Sequence, residues 1–368
     1  GVEGLHSISQ GQTIIVDAEK SQVIVNPSYL IEAEYGKTLN NLSKEKQRLK
    51  SLKDLPAITK DGTTIKLLAN SGLLSDVVPS IENGAQGIGL YRTEIPFMVC
   101  QTFPSEDDQV EVYRNVLEAY AGMPVFMRIL DIGGDKQLPY FPIKGEDNPA
   151  LGWRGIRFDL DNIQLLMTQV RAMLRATRNT DRLNILLPMV SSIEEIQKFR
   201  VLLDDAMAQI EQEGYQPCTP KIGVMVEVPG AISQLKFWRE HINFVSIGSN
   251  DLSQYLLSLD RNNSKVAPLY DAVHPAVIHE INRTVTTAKE LDLPLSLCGE
   301  IAADPVAVVL LVGMGIESLS LSAAHLPEIK DIIRSINYEE SQKILSESLE
   351  LTNAKDIKVL VQAYLDSV

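Results

Sequence analysis

Phe244-Val245-Ser246-Ile247-Gly248-Ser249-Asn250-Asp251-Leu252-Ser253-Gln254-Tyr255-Leu256-Leu257-Ser258-Leu259-Asp260-Arg261 changes its pattern part-way along. Four β-favouring residues stop at Gly248, and a small polar loop, Ser249-Asn250-Asp251, follows. Leu252, Tyr255, Leu256 and Leu259 then recur at helical spacing. The expectation is a strand, a tight turn and a helix, with an amide and a carboxylate at the strand's C-terminal lip. In parallel α/β folds that lip is where ligands sit. The plainer alternative is an ordinary βα loop in which Asp251 only caps the helix.

Outward from this stretch the same unit repeats. Eight apolar, β-favouring runs occur: Thr64–Ala69, Gly87–Tyr91, Val125–Leu130, Ile185–Met189, Ile222–Glu227, Phe244–Ile247, Pro294–Cys298 and Ser318–Leu321. Helix-length segments with 3.6-residue periodicity separate them, among them Asp107–Tyr120, Asn162–Arg178, Ser192–Glu213, Val277–Leu291 and Asp304–Met314. Strands alternating with helices predict a parallel sheet, and eight units predict an α/β fold of the (β/α)8 TIM-barrel type. An open doubly wound sheet is the competing architecture. It calls for a glycine-rich turn after the first strand, and Ala69-Asn70-Ser71-Gly72 is not one. The long gap between Leu130 and Ile185 holds extra material, Gly133 through Arg157, and an elaborated βα loop of that length points to function.

Before the barrel, residues 12–17 and 22–27 alternate like two short strands, too little for a stable module alone. Residues 28–56, with the run Ser43-Lys44-Glu45-Lys46-Gln47-Arg48-Leu49-Lys50, read as a solvated linker helix. The expected division is therefore 1–27, the C-terminal remnant of an upstream domain; 28–56, the linker helix; and 57–368, the barrel.

The bulk properties set the outer limits. The 368 residues are 45% hydrophobic, and no apolar run approaches the roughly 20 residues of a membrane span. A net charge of −14 argues against a general nucleic-acid binder. Three scattered cysteines, Cys100, Cys218 and Cys298, form neither a disulfide framework nor a zinc pattern, so a cytoplasmic location is expected.

Several predicted strand ends carry chemistry that makes sense together. They present Arg92, Arg128, Glu227, Asn250 with Asp251, and Cys298, and Arg261 follows a few turns on. Glu227 and Asp251 at neighbouring strand ends suit Mg²⁺, which takes one or two carboxylates plus substrate oxygens and water. Arg92, Arg128 and Arg261 would bind a small, multiply charged anion, since arginine forks match phosphate and carboxylate oxygens in pairs. Singly, each has a dull counterpart: a structural salt bridge for an arginine, a small core residue for Cys298. Their convergence on one mouth favours the functional reading.

With these residues in hand the chain resembles a known family, the phosphoenolpyruvate-utilising enzymes, and within it enzyme I of the bacterial phosphotransferase system. Ile247–Arg261, Gly87–Glu94, Met127–Tyr140, Asp147–Arg157, Gly223–Pro229 and Leu297–Ala302 carry the resemblance, in order and spacing. Gly89–Met98 and Arg261–Ala276 lean towards its nitrogen-related paralogue. The resemblance implies a barrel that binds phosphoenolpyruvate and Mg²⁺ and acts as a dimer. It implies Glu227 and Asp251 as metal ligands, and Arg92, Arg128, Asn250 and Arg261 as the grip on phosphate and carboxylate. Lys136 and Arg154 supply supporting positive charge. Cys298 resembles the acid that protonates the enolate to give pyruvate. The implied acceptor is a histidine of an N-terminal phosphohistidine domain, which passes the phosphoryl group to a small phosphocarrier protein. None of the five histidines (His6, His241, His274, His279, His325) stands in the acceptor's context, so that domain is expected upstream, with residues 1–27 as its end. Two alternatives stay open: the barrel of a dikinase- or synthase-type enzyme, and a non-catalytic dimer that senses phosphoenolpyruvate. Cys298 argues against the second, because a sensor needs no carbon acid.

Overall fold

The computed structural model describes residues 8–368 except 19, 135, 178 and 179. His6, Asp135 and the end of the predicted helix at Arg178 lie outside the described residues. The chain forms two compact units, Gly1–Leu52 and Lys53–Val368.

In the first, β1 (Ile14–Asp17) and β2 (Gln22–Val25) pair antiparallel, and a helix runs from Tyr29 to Lys50. The Tyr35 hydroxyl donates to Asp17 Oδ2 at 2.7 Å and accepts from Gln22 Nε2 at 3.1 Å, tying helix to hairpin. No residue of that helix is buried, as its charged, apolar-poor sequence requires. The helix belongs with the hairpin rather than standing as a separate linker.

The second unit is a closed parallel barrel. Its staves are β3 (Lys66–Ser71), β4 (Ile88–Arg92), β5 (Val125–Arg128), β6 (Leu183–Leu187), β7 (Lys221–Val226), β8 (Phe244–Gly248), β9 (Leu295–Cys298) and β10 (Ser318–Ser322). Each pairs with its sequence neighbour, and β10 closes on β3 in the register Ser318–Lys66 to Ser322–Asn70. All eight predicted strands are present, and the (β/α)8 reading holds. Outward-facing residues such as Leu67, Ile185, Val224 and Leu319 pack under the helical ring in one continuous core. Inside, Leu90, Leu186, Met225, Phe244 and Cys298 form a smaller plug, with Phe126 set edge-on against the Phe244 ring. Gly223 makes room for that ring, because a Cβ there would stand 2.2 Å from it.

Two local features depart from expectation. The helix after β8 begins at Ser249, so Asn250 and Asp251 lie in its first turn rather than in a loop. The helix Pro305–Met314 is buried on nearly every side and carries no amphipathic stripe. Its start is marked by Asp304, whose carboxylate accepts from the Val306 and Ala307 amides. It is covered from outside by the helix Tyr338–Ser348, which approaches closely at Gly313; a Cβ there would lie 2.3 Å from the Ser341 carbonyl oxygen.

Candidate functional site

The C-terminal ends of the staves open on a cavity of about 660 Å³. Arg92, Arg128, Lys136, Glu227, Asn250, Asp251, Arg261 and Cys298 all line it. Eight of the nine side chains singled out from sequence thus share one wall. The ninth, Arg154, is buried behind it.

The long β5–β6 loop delivers the extra cations. It folds around Leu130, Ile132, Leu138 and Phe158, joined by Phe97 from the short helix Glu94–Met98 after β4, and Tyr140, Phe141 and Trp153 pack against this cluster. Gly133 lets the loop fold back on itself: it adopts φ +106°, and a Cβ would sit 2.4 Å from the Trp153 carbonyl oxygen. The Tyr255 hydroxyl, on the helix after β8, donates to the Ala150 carbonyl and so pins the loop to that helix.

At the bottom of the wall lies an ionic cluster organised by Asp131. Its Oδ2 accepts from Arg128 Nη1 at 2.9 Å and from Lys136 Nζ, and its Oδ1 faces Arg154 Nη2 at 3.4 Å. Glu94 adds a second carboxylate, at 2.5 Å from Arg128 Nη2 and 3.5 Å from Lys136 Nζ. Burial disfavours the charge on Asp131, but Arg128, Lys136 and Arg154 outweigh it and hold the carboxyl well below the usual range. Burial likewise works against Arg128, and Asp131, Glu94 and Glu227 keep its guanidinium firmly charged. Neither Asp131 nor Glu94 was given a role from sequence. The signal was present in Arg128 and Asp131, three positions apart at the end of a strand.

Arg154 is a tether. Its Nη1 stands 3.3 Å from Asp251 Oδ1 and donates to the Tyr255 hydroxyl at 3.3 Å, so it spans Asp131 and Asp251. Arg261 approaches Asp251 from the cavity side at 3.6 Å. Asn250 exchanges hydrogen bonds with Glu300, donating to its carboxylate at 3.4 Å and accepting from its amide at 3.0 Å. Arg92 is exposed at the end of β4, where its backbone pairs with β5, and its side chain has no hydrogen bond or ion pair among the described residues.

Glu227 is buried and accepts from the Met189 amide at 2.7 Å. Burial first, then the negative charges of Asp251 and Asp131, push its carboxyl up to about 8, against the pull of Arg128 and Arg154. A buried carboxyl raised by its carboxylate neighbours is what a divalent cation would relieve. Two carboxylates fit Mg²⁺ completed by substrate oxygens and water. No group of three or more acidic, histidine or cysteine ligands exists among the described residues, so the protein alone does not form a full cage.

Cys298 ends β9 against Glu227 and Asp251 on the cavity wall. Its thiol lies 3.4 Å from the Ile247 carbonyl oxygen and 3.7 Å from the Ser246 hydroxyl. Burial, with a smaller contribution from Glu227, pushes it up to about 11, although the Ser246 contact acts the other way. At neutral pH this sulfur carries its proton, which disfavours a nucleophile and suits an acid.

Comparison with known sequences gives the chain a family. The profile of the PEP-utilising enzyme, PEP-binding domain family matches residues 46–338. A protein described as "Phosphoenolpyruvate-dependent phosphotransferase system" from Salmonella typhimurium is 40% identical over 361 residues, 98% of this chain and 48% of that protein. A phosphoenolpyruvate-protein phosphotransferase from Staphylococcus carnosus is 38% identical over 368 residues, 99% of this chain and 64% of that protein. The chain thus spans about half to two thirds of the curated relatives it matches. A solved citrate lyase from Burkholderia xenovorans aligns with a TM-score of 0.49 at 13% identity, over 85% of this chain and 96% of that one.

Proposed function

The chain belongs to the PEP-binding domain family of phosphoenolpyruvate-utilising enzymes, and from that premise we propose that its barrel mouth binds phosphoenolpyruvate for phosphoryl transfer to a histidine of another domain. The observation that carries this reading is the convergence of cations, a carboxylate pair and a protonated thiol on one cavity. Phosphoryl transfer asks a protein mainly for positioning and charge neutralisation. Arg92, Arg128 and Arg261, with Asn250, would hold the phosphate and carboxylate, and Lys136 would add charge beside Arg128. Glu227 and Asp251 would hold Mg²⁺, which when bound supplies further neutralisation of phosphate charge.

Transfer breaks the bond between phosphorus and the bridging oxygen, and the departing group is the enolate of pyruvate. Cys298 would give its proton to the methylene carbon, yielding the keto acid; solvent then returns a proton to the sulfur. Without that protonation the enolate would run the reaction backwards. Arg154, buried behind the wall, would hold Asp251 in place rather than touch substrate.

The relatives named above motivate the rest of the reading: a phosphotransferase relay of the nitrogen type, a separate phosphohistidine domain, a small phosphocarrier protein, a homodimer formed through the barrel and a cytoplasmic setting. The test mixes the chain with phosphoenolpyruvate, Mg²⁺ and a separately produced phosphohistidine domain of a relative. Pyruvate release and phosphorylation of that domain are expected. Phosphoenolpyruvate binding with no pyruvate released would defeat the enzyme reading and leave a sensing module.

A further inference from the structure

The barrel has a second mouth. Beneath the plug, with Phe126 and Phe244 on its wall, lies a cavity of about 460 Å³ at the N-terminal ends of the staves. TIM barrels are commonly filled here by bulky branched side chains. This one presents Asn184, Ser296 and Ser318 instead, with Lys66, Lys221 and Arg182 around them and Asp181 and Glu317 at the rim.

Three details give that cavity the character of a site. Lys66 starts β3 and Lys221 starts β7, four staves apart in a ring of eight, so the two residues line the cavity from opposite walls. Neither has an ion pair or side-chain hydrogen bond among the described residues, despite Asp181 and Glu317 lining the same cavity. Arg182 is already committed, donating to the Leu117 carbonyl at 2.9 Å.

Ser296 is 6% exposed, lines the cavity, and its hydroxyl has no hydrogen-bond partner among the described residues. Asn184 is 7% exposed and spends its amide protons on the Arg182 and Val125 carbonyls, at 3.0 and 3.3 Å. That fixes which end of the amide is left over: Oδ1, an acceptor. Neither the Ser296 hydroxyl nor Asn184 Oδ1 is among the sealed, unpartnered side-chain atoms of the described interior, so both stay open to the cavity, where an occupant can meet them.

We propose that the N-terminal mouth is a binding site for a small hydroxylated oxyanion, a carboxylate or phosphate flanked by a hydroxyl. Lys66 and Lys221 would clamp the anionic group from both sides, and Ser296 would donate to it. Asn184 Oδ1 would accept from the ligand's hydroxyl. The faces of Phe126 and Phe244 would close over its carbon skeleton. The site is separate from the C-terminal mouth and does not depend on the chemistry proposed there.

The experiment titrates glycerol 3-phosphate and malate, as the phosphate and carboxylate probes, into the full chain by calorimetry. It is run on the unaltered protein, on a Lys66→Gln/Lys221→Gln variant and on an Arg92→Gln/Arg261→Gln variant. Both lysines are exposed, so melting temperature should hold in the first variant and serves as its folding control. Expected is binding of at least one probe that survives in the arginine variant and weakens tenfold or more in the lysine variant. Asn184→Leu should weaken the same probe again. Binding lost only in the arginine variant would assign the probe to the C-terminal mouth and overturn the proposal. Binding by neither probe, or binding untouched by the lysine changes, would overturn it equally. None of these outcomes bears on phosphoenolpyruvate binding, which is measured separately on the same variants.

Discussion

Asp131 faces three cations from a fully buried position, so its removal should cost more than any single contact suggests. Asp131→Asn keeps the shape but leaves Arg128, Lys136 and Arg154 undercompensated. Breaking a buried ion cluster in this way costs about 3–5 kcal/mol, to be read from urea unfolding, and phosphoenolpyruvate affinity should fall with it. Arg92 offers the opposite test. Its side chain is exposed and has no hydrogen bond or ion pair among the described residues, so Arg92→Ala should leave the melting temperature unchanged while weakening phosphoenolpyruvate binding by about 1.5–3 kcal/mol, the worth of a charge-assisted hydrogen bond. Cys298→Ala should bind phosphoenolpyruvate normally and release no pyruvate in the reconstituted reaction; lost binding would make the residue structural. Glu227 gives a pH dependence. Its folded carboxyl is raised to about 8 above an ordinary value near 4.5, so its favourable contribution is complete below that ordinary value and fades as pH rises towards 8. The metal-free chain should therefore lose melting temperature between pH 6 and pH 8, and Glu227→Gln should flatten that slope. The side chains that point into the mouth were legible in the sequence because residue type and strand-end position announce them. The pairing of Asp131 with Arg128 had a local signal in their spacing, but its contacts with Lys136 and Arg154, and the tethering place of Arg154, depend on how the β5–β6 loop folds back, which no local pattern encodes.

At the scale of elements, the alternation of strand and helix was readable because each stave is a short apolar run bounded by turns. Boundaries shifted by a residue or two, as at β3 and β6. The helix after β8 began earlier than its apolar spacing suggested, because the spacing marks the buried stripe and not the first hydrogen-bonded turn. The helix Pro305–Met314 has no stripe to read at all, since the barrel covers one side and the helix Tyr338–Ser348 the other. That second helix gave no sequence expectation, and its role shows only in the close approach at Gly313. Gly313→Ala should force the two helices apart and cost about 1–3 kcal/mol in urea unfolding, as overpacking does, while phosphoenolpyruvate binding persists. An unchanged midpoint would mean that the outer helix yields without loss.

Across the whole molecule, the ladder of staves is complete within Lys53–Val368, so that piece should fold and bind phosphoenolpyruvate without the hairpin and helix before it. Circular dichroism and calorimetry on the shortened chain would check this. Among the described residues no helix is long and apolar enough to cross a membrane. The closure of β10 on β3 has a consequence in time. The Ser320 hydroxyl meets the Asn70 side chain across 250 positions of sequence, and Ser318–Ser322 is the last stave to leave the ribosome. Until it arrives, β3 and β9 are open sheet edges, each a template for pairing with the wrong chain. Contacts of such long range make folding slow. The barrel therefore stays an unclosed sheet until its last stave is made, and refolding yield should fall steeply with protein concentration, far more than for a fold whose neighbours in space are also neighbours in sequence.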